Sequence, residues 1–282
     1  MRTTIECLEC LAGTFGKQVK DNCVSEEQGY EIMCKISDEI ANSYKYGVPA
    51  DIGTKLCKIL LTYFPDLMKR EKEDSKRKAL EIVETFKGHK LTLDFAVQMA
   101  VFGNVMDYSV RDWNPNNIDL TSILGNGFKI DHIKEFEYEL SIAKKVMYLT
   151  DNAGEVVFDS FLARHIKNLG KHLILSPKES PIQNDATMED IRNTPLDAIA
   201  DAVIPTAQAV GLDLKASSVE FHRAFKESDL VIMKGMGYFE NGFDVDKNTF
   251  FILKAKCEPV ARILGVQKGD NILLGKKYFN KA

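Results

Sequence analysis

The sequence lacks the features that mark several large classes of protein. No apolar run in its 282 residues approaches the roughly 18 residues that a membrane-spanning helix needs, and its start carries acids and no signal-peptide core. Basic residues are not in excess, because 41 acids against 37 bases give a formal charge of −4, which argues against a dedicated nucleic-acid binder. Six cysteines, five of them before residue 58, do not form a secreted disulfide framework. These absences predict a cytoplasmic globular protein with neither a membrane nor a nucleic acid as partner.

Common catalytic signatures are also missing. The chain has no GxSxG elbow, no GxxxxGK[ST] loop and no HExxH motif, so a serine hydrolase or a P-loop enzyme has no support. Cys7 and Cys10 have CxxC spacing, but no second pair or histidine partner lies nearby, and the surrounding sequence is typical of helices. The pair is at best half of a metal site, and we interpret these cysteines as structural.

The pattern of apolar residues changes near residue 143. Before it, apolar residues recur at helical spacing, as Ile32, Ile36 and Ile40 do, which predicts an all-helical N-terminal region over residues 1–142. After it, amphipathic stretches alternate with five short apolar runs, at residues 145–150, 172–176, 202–205, 229–233 and 250–253. This alternation predicts a Rossmann-like three-layer α/β domain over residues 143–282, with a mainly parallel sheet covered on both faces.

Polar residues follow the predicted strands at the edge where such sheets bind ligands. Asp151 and Asn152 follow the first strand, and Asp185 ends the loop after the second. Their oxygens suit a hard divalent cation, although each residue also suits the cap of the next helix. Gly154 allows a tight turn before a helix N-terminus that can offer N–H groups to a phosphate. Because separate caps need not converge, several clusters at one edge favour a single site.

Two further clusters have both a functional and a structural interpretation. Lys234 ends the fourth strand and precedes Gly235, which suits a point charge on a phosphate with close backbone approach, or an ordinary turn with a lysine at its rim. Asn104 and Asp107 lie three residues apart, on one face of a helical turn. They can reach into a cleft beside the sheet, and capping of a helix end explains them nearly as well.

Together these clusters resemble the metal-dependent damage-control phosphatases, a family long known only as a domain of unknown function. The closest resemblance is to the subfamily found in archaea and other microbes. It rests on four segments: GNVMD at 103–107, DNAGE at 151–155, PIQNDAT at 181–187, and Lys-Gly at 234–235. It extends over nearly the whole chain, including the Cys7–Cys10 pair, PDLMKREK at 65–72 and KCE at 256–258.

The resemblance implies a helical N-terminal region on a Rossmann-like domain and one divalent cation, Mn²⁺, Ni²⁺, Co²⁺ or Mg²⁺. It implies that Asp151, Asn152 and Asp185 hold this cation and that Lys234 contacts the phosphate.

The resemblance also bears on the substrate. Asn104 and Asp107 match the family's motif near the cleft. Where the family has an asparagine after Lys-Gly, this chain has Tyr238, while Glu240 keeps the following acid, so contacts in this loop differ from the family pattern. The candidate substrate- and phosphate-binding residues are Gly154, Lys178, Lys234, Asn104, Asp107 and Glu240.

The sequence therefore predicts a phosphatase that hydrolyses small phosphomonoesters, such as damaged or surplus nucleotides and sugar phosphates. Its catalytic residues are Asp151, Glu155 and Lys234. The cation and the lysine neutralise charge on the phosphoryl group. The attacking group is water activated by the metal or by Glu155, or else Asp151 itself through an aspartyl-phosphate.

Two alternatives remain open. One is a phosphometabolite-binding protein whose metal site is only a ligand clamp. The other is an S-adenosylmethionine-dependent methyltransferase, which has weaker support because DNAGE holds one glycine and the second strand ends in Ser-Pro-Lys.

Overall fold

The structure, a computed structural model, describes residues 1–45, 47–104 and 127–279. Five helices precede residue 104: α1 (Ile5–Asn22), α2 (Glu26–Ser43), α3 (Pro49–Leu61), α4 (Lys69–Glu84) and α5 (Leu93–Gly103). Local sequence explains where several of them begin. The Ser25 side chain accepts a hydrogen bond from the backbone of Gln28 at the start of α2, and Thr92 does the same for Phe95 at the start of α5. Pro49 occupies the first turn of α3, where its missing N–H costs nothing.

The remaining described elements form a sheet and its covering helices. The strands are β1 (Phe128–Asp131), β2 (Lys145–Leu149), β3 (His172–Ser176), β4 (Ala202–Val203), β5 (Leu230–Lys234), β6 (Thr249–Lys254) and β7 (Asn271–Gly275). The helices are α6 (Ile133–Ile142), α7 (Glu155–Asn168), α8 (Met188–Ile191), α9 (Val219–Glu227), α10 (Gly235–Gly242) and α11 (Glu258–Leu264), with a 3₁₀ turn at Lys276–Tyr278.

The strands form one sheet in the order β1-β7-β6-β5-β2-β3-β4. The five strands from β6 to β4 are parallel, β7 runs antiparallel to β6, and β1 is parallel to β7. From β2 the chain crosses to β3 on one side and later returns as β5 on the other. Ligands bind in open α/β sheets at the carboxyl ends of strands beside such a change of direction.

Both faces of the sheet are covered. Along β2, Val146 and Tyr148 belong to a core that includes residues of α5, α6 and α7. Met147 and Leu149 belong to a second core with residues of α9, α10 and α11. Alternate side chains of a strand point to opposite faces, so β2 contributes to both layers. The predicted Rossmann-like three-layer arrangement with a mainly parallel sheet is confirmed.

The prediction of helices alone over residues 1–142 is wrong at Phe128–Asp131, which forms β1. This four-residue strand is partly exposed, and its one partner among the described strands is β7, more than 140 residues away along the chain. So short a segment forms a strand only because it pairs with another strand. Here the partner is β7, and no strand is predicted at residues 271–275. The division into regions at residue 143 stays a prediction.

The helical region forms its own core between α1, α2 and α3, around Phe15, Ile32 and Leu56. Ile182, in the loop after β3, is buried in the same core. The loop that carries Asp185 is therefore held between the helices and the sheet. None of the helices in the described ranges combines the length and apolar character needed to cross a bilayer.

A buried ion pair adds a polar link between the two parts of the chain. The Lys72 ammonium on α4, only 3% exposed, donates to Asp190 Oδ2 of α8 at 3.2 Å and lies 3.6 Å from Asp66 Oδ2. The same Asp190 oxygen accepts hydrogen bonds from the backbone and hydroxyl of Thr187.

We expect Lys72→Met to lower the free energy of unfolding by about 2 kcal/mol, because it leaves a buried carboxylate short of its cation. Urea denaturation followed by circular dichroism measures the change. Lys69→Met removes an exposed lysine from the same helix and should cost less than about 0.5 kcal/mol. Equal effects of the two substitutions would contradict the structural importance of the pair.

Candidate metal and phosphate site

A cavity of about 420 Å³ lies between the helical region and the carboxyl edge of the sheet. Asp151, Asn152 and Asp185 line it together with residues of α1, α3 and α10 and of the segment after β6. The three candidate metal ligands, which are separate in sequence, therefore face one space. A volume of this order is typical of small-molecule sites.

Backbone hydrogen bonds bring the three ligands together. The loop after β3 folds back along the end of β2, where Asn152 and Asp185 form an isolated antiparallel bridge. The N–H of Ala186 donates to the carbonyl of Asp151 at 2.7 Å, and that of Ala153 donates to the carbonyl of Asn184 at 2.9 Å. Because these bonds involve only the main chain, the spacing of the ligands does not depend on side-chain rotamers.

The hydrogen bonds of Asn152 orient its side-chain amide. Its Nδ2 donates to Asp151 Oδ2 at 3.1 Å and to Glu155 Oε2 at 3.2 Å. The amide oxygen is then the atom that Asn152 can offer to a cation, whereas the reversed amide would offer only N–H groups.

Gly235 makes room for the Asp151 carboxylate. Its φ is +81°, a conformation that glycine adopts readily. A Cβ placed on Gly235 would lie 1.9 Å from Asp151 Oδ2. The glycine at the start of α10 therefore allows direct contact between this turn and a ligand side chain.

This donor set fits a hard divalent cation. Two carboxylates and one amide oxygen suit ions such as Mg²⁺ and Mn²⁺, with water completing the coordination. In the part of the chain that the structure describes, no group of three or more His, Cys, Asp or Glu side chains is arranged to hold a metal. A cation held here would therefore depend on Asn152 beside the two acids.

Lys234 lies behind these ligands and does not line the cavity. Its fully buried ammonium donates to Ala100 O at 2.9 Å, to Asp159 Oδ1 at 2.7 Å, and to Glu155 Oε1. Burial alone would lower its pKa, but the carboxylates of Asp159 and Glu155 outweigh burial and raise the pKa of Lys234 to about 12. All three ammonium hydrogens already have acceptors, so the structure does not bring this lysine into contact with the cavity.

Glu155 is also fully buried and bonded at both oxygens. Its Oε1 pairs with Lys234, while its Oε2 accepts from Asn104 Nδ2 at 2.8 Å and from Asn152 Nδ2. Asn104 Nδ2 also donates to Asp151 Oδ2 at 3.0 Å. Both residues thus support the ligands from behind. Asp107, predicted to lie near them, falls outside the described residues.

The space beside Gly154 is filled by Ser75 of α4. A Cβ there would lie 2.8 Å from Ser75 Oγ, so this glycine allows α4 to pack closely. The next two N–H groups, of Glu155 and Val156, donate to the Asn152 carbonyl at 3.0 and 3.3 Å. These groups hold the turn in place, which leaves them unsuited to the predicted phosphate contact.

Lys178 is buried beside Asp185. Its ammonium donates to Gly211 O at 2.7 Å and to the Tyr238 hydroxyl at 2.9 Å, and it lies 3.6 Å from Asp185 Oδ2. Burial lowers the pKa of Lys178, although Asp185 and Asp151 oppose this shift. Tyr238, at the position of the family's asparagine, therefore serves as an acceptor for this lysine.

Comparison with known proteins decides the family. Residues 3–272 match the model of the damage-control phosphatase ARMT1-like domain. The chain belongs to this damage-control phosphatase family. The damage-control phosphatase PH1575 of Pyrococcus horikoshii is 33% identical over 290 residues, covering 99% of both chains. A damage-control phosphatase of Archaeoglobus fulgidus is 38% identical over 200 residues, covering 69% of this chain and 68% of that protein. The crystal structure of PH1575, described as a DUF89 family protein, has a TM-score of 0.90 and 32% identity over 98% of this chain and 99% of that one.

The acid kept from the damage-control phosphatase motif, Glu240, lies on the cavity wall. It is half-buried, and burial raises the pKa of its carboxyl to about 7. Its backbone carbonyl accepts a hydrogen bond of 2.8 Å from the amine of Met1. At neutral pH this side chain can therefore act either as a donor or as an acceptor towards a bound molecule.

Two lysines of the cavity were not predicted to contact phosphate. Lys256 and Lys268 both line it, and Lys256 follows β6 as Asp151 follows β2. A signal for Lys256 is present in the sequence, since KCE at 256–258 comes just after the strand predicted at residues 250–253. Cys7 and Cys10 also line the cavity, and none of the six cysteines, all within the described residues, forms a disulfide bond.

We expect Gly235→Ala to weaken binding of Mn²⁺ by more than 10-fold, because the added methyl group collides with Asp151 and displaces a ligand. Isothermal titration calorimetry on chelator-stripped protein measures the affinity. Gly265→Ala is the matched control, since Gly265 also has a positive φ, of +68°, but has no atom within 4 Å of an added Cβ. Both variants should lose about 1 kcal/mol of stability from backbone strain. If Mn²⁺ affinity falls equally in the two variants, or is unchanged in both, the assignment of Asp151 as a metal ligand is wrong.

Proposed function

We propose that the protein is a divalent-metal-dependent phosphatase that hydrolyses small phosphomonoesters, with damaged or surplus nucleotides and sugar phosphates as the substrate class. The observation that carries this proposal is the convergence of Asp151, Asn152 and Asp185 on one cavity that also contains lysine side chains. Membership of the damage-control phosphatase family supports the same reaction.

The cavity matches a metabolite in size and in charge distribution. Its volume of about 420 Å³ is in the range of sites for small molecules. Beyond the metal ligands, its wall carries both lysines and acids, the acids including Glu6, Glu9 and Glu258. The lysines provide charge for phosphoryl oxygens, while the carboxylates can accept hydrogen bonds from hydroxyl groups on the rest of the substrate.

Each group has a defined task in this proposal. Asp151, Asn152 and Asp185 hold the cation, which supplies positive charge to the phosphoryl oxygens when bound. Lys256, on the cavity wall, takes the phosphate contact predicted for Lys234. In the hydrolysis the oxygen of water forms a bond to phosphorus and the ester P–O bond breaks, while one proton of the water passes to the leaving oxygen, so that the products are an alcohol and inorganic phosphate.

The contacts also bear on the choice of nucleophile. Asp151 Oδ2 accepts hydrogen bonds from Asn104 and Asn152, which hold this oxygen in place as a ligand. Glu155 has both oxygens engaged inside the protein, so it is poorly placed to take a proton from water in the cavity. We therefore favour direct attack by water on the phosphoryl group, with Glu155 as support for the ligands.

The first experiment removes single metal ligands. Chelator-stripped protein is supplied with Mn²⁺, Ni²⁺, Co²⁺ or Mg²⁺, and phosphate release is measured across a panel of nucleotides and sugar phosphates. Asp185→Asn and Asp151→Asn should each lower kcat/KM by more than 100-fold, beyond the 10- to 100-fold cost of changes in residues that only support ligands. Asp244→Asn, an exposed acid outside the cavity, should retain wild-type activity.

Phosphate release that persists without any divalent ion would contradict the metal requirement. Bound metal without phosphate release from any substrate would instead favour the binding-protein alternative.

A second experiment tests whether Lys256 contacts the phosphate. Lys256→Met should lower kcat/KM by about 10- to 100-fold, because one charged hydrogen bond to phosphate contributes about 1.5–3 kcal/mol, while Mn²⁺ affinity stays at the wild-type level. Lys226→Met removes an exposed lysine outside the cavity and should have no effect. If Lys256→Met is as active as the control, Lys256 does not contact the phosphate.

A further inference from the structure

A continuous line of buried polar groups runs from the middle of the sheet to the candidate metal ligands. The Tyr148 hydroxyl on β2 donates to Asp159 Oδ1 at 2.7 Å, and the Lys234 ammonium donates to the same oxygen at 2.7 Å. Lys234 also pairs with Glu155, which accepts from Asn104 and Asn152. Each of these six side chains is at most 2% exposed. Asp159 belongs to none of the motifs that indicate the function.

The geometry of α7 explains how two acids reach one ammonium. Glu155 and Asp159 are four residues apart, so their carboxylates lie on the same face of the helix. Lys234, at the end of β5, lies between these carboxylates and the carbonyl of Ala100 on α5. One ammonium group thus links β5 to two helices.

Glu155 alone would neutralise Lys234, so the second acid needs another explanation. With one cation and two carboxylates the buried cluster has a formal charge of −1, and excess buried charge is unfavourable. Burial raises the pKa of Asp159, although Lys234 opposes this shift. Asp159 Oδ2 has no hydrogen-bond partner among the described residues. Excess charge and a carboxylate oxygen without a partner are both unfavourable in the interior, so neutralisation of Lys234 does not by itself account for Asp159.

Glu155 connects Lys234 to the side-chain amides at the site. Among the residues that the structure describes, Asn152 Nδ2 has two acceptors, Glu155 Oε2 and Asp151 Oδ2. If the Glu155 carboxylate rotates, the Asn152 amide loses one of these two hydrogen bonds. It can then turn over and present its N–H groups to the cation.

We propose that Asp159 is a positioning residue, which holds Lys234 and through it Glu155, so that the Asn152 amide keeps its oxygen directed to the divalent ion. This inference rests on the proposed metal-dependent function and adds to it a residue outside the cavity. Asp159 touches neither metal nor substrate.

The test compares Asp159→Asn with Ser160→Ala in the full-length, chelator-stripped protein. Ser160 is the next residue of α7 and is also buried, and its hydroxyl donates to Val157 O of the same helix and to no other group that the structure describes. Asp159→Asn should bind Mn²⁺ 10- to 100-fold more weakly than the wild type, as expected for a residue that supports ligands. Saturating Mn²⁺ should restore most of kcat, because the ligands themselves are intact. Ser160→Ala should leave the Mn²⁺ affinity unchanged.

A merely structural role gives a different result. In that case Asp159→Asn changes the melting temperature while its Mn²⁺ dissociation constant stays within twofold of the wild type, and this outcome overturns the proposal. If Asp159→Asn does not fold, Tyr148→Phe replaces it, since this change removes only the hydroxyl that donates to Asp159. It should weaken Mn²⁺ binding in the same direction, and unchanged affinity would again overturn the proposal.

A second readout does not depend on metal or on turnover. In protein labelled with ¹⁵N at asparagine, the buried side-chain amides of Asn104 and Asn152 should exchange slowly with solvent, and Asp159→Asn should shift their signals and accelerate their exchange. If the wild type binds no divalent ion, the proposed function fails, and these signals alone decide whether Asp159 positions the amides. Unchanged signals and exchange in Asp159→Asn would overturn that role.

Discussion

The rest of the candidate site depends on the hydrogen bonds and ion pairs of the Lys234 ammonium group. This group lies at the end of β5, fully buried, and donates to α5 through Ala100 and to α7 through Glu155 and Asp159. A buried cation without partners would be strongly unfavourable, so the strand and the two helices must stay together for its charge to be compensated. The helical part of the chain and the sheet are thereby joined directly behind the candidate metal ligands. Glu155 extends this link to Asn104 and Asn152, whose amides contact Asp151.

The ligands in front of this cluster are held by a different kind of force. Main-chain hydrogen bonds between the end of β2 and the loop after β3 set the spacing of Asn152 and Asp185. Ile182 anchors the same loop in the core of the helical region. The candidate site therefore combines a backbone arrangement that sets the spacing of the candidate ligands with buried side-chain charges that, in our proposal, fix the orientation of the Asn152 amide. Such support is what allows a few oxygen atoms to form a defined cation site.

The comparison of prediction and structure separates two kinds of polar residue. Asp151, Asn152 and Asp185 were predicted to converge because they follow adjacent strands of a parallel sheet, and the structure brings them to one cavity. Lys234 and Glu155 come from equally suggestive motifs, yet both are buried behind the ligands and bonded within the protein. Lys256, which was not among the predicted site residues, lies on the cavity wall. A strand end predicts that a residue is near the site, but the rotation of a side chain into the cavity or away from it depends on packing against α5 and α7, which lie far away in sequence.

The sequence by itself determined the alternation of helices and strands from residue 145 to residue 253, the mainly parallel sheet and the edge at which a ligand is expected, because apolar periodicity is a local property of the chain and crossover connections have one preferred hand. It also carried the four motifs by which the family can be recognised. The tertiary structure alone decided that β1 and β7 extend the sheet, that Asp159 joins the buried charges, and that Lys234 faces inward while Lys256 faces the cavity. These features arise from pairing and from charge compensation between residues distant in sequence, so no short segment contains the information that specifies them.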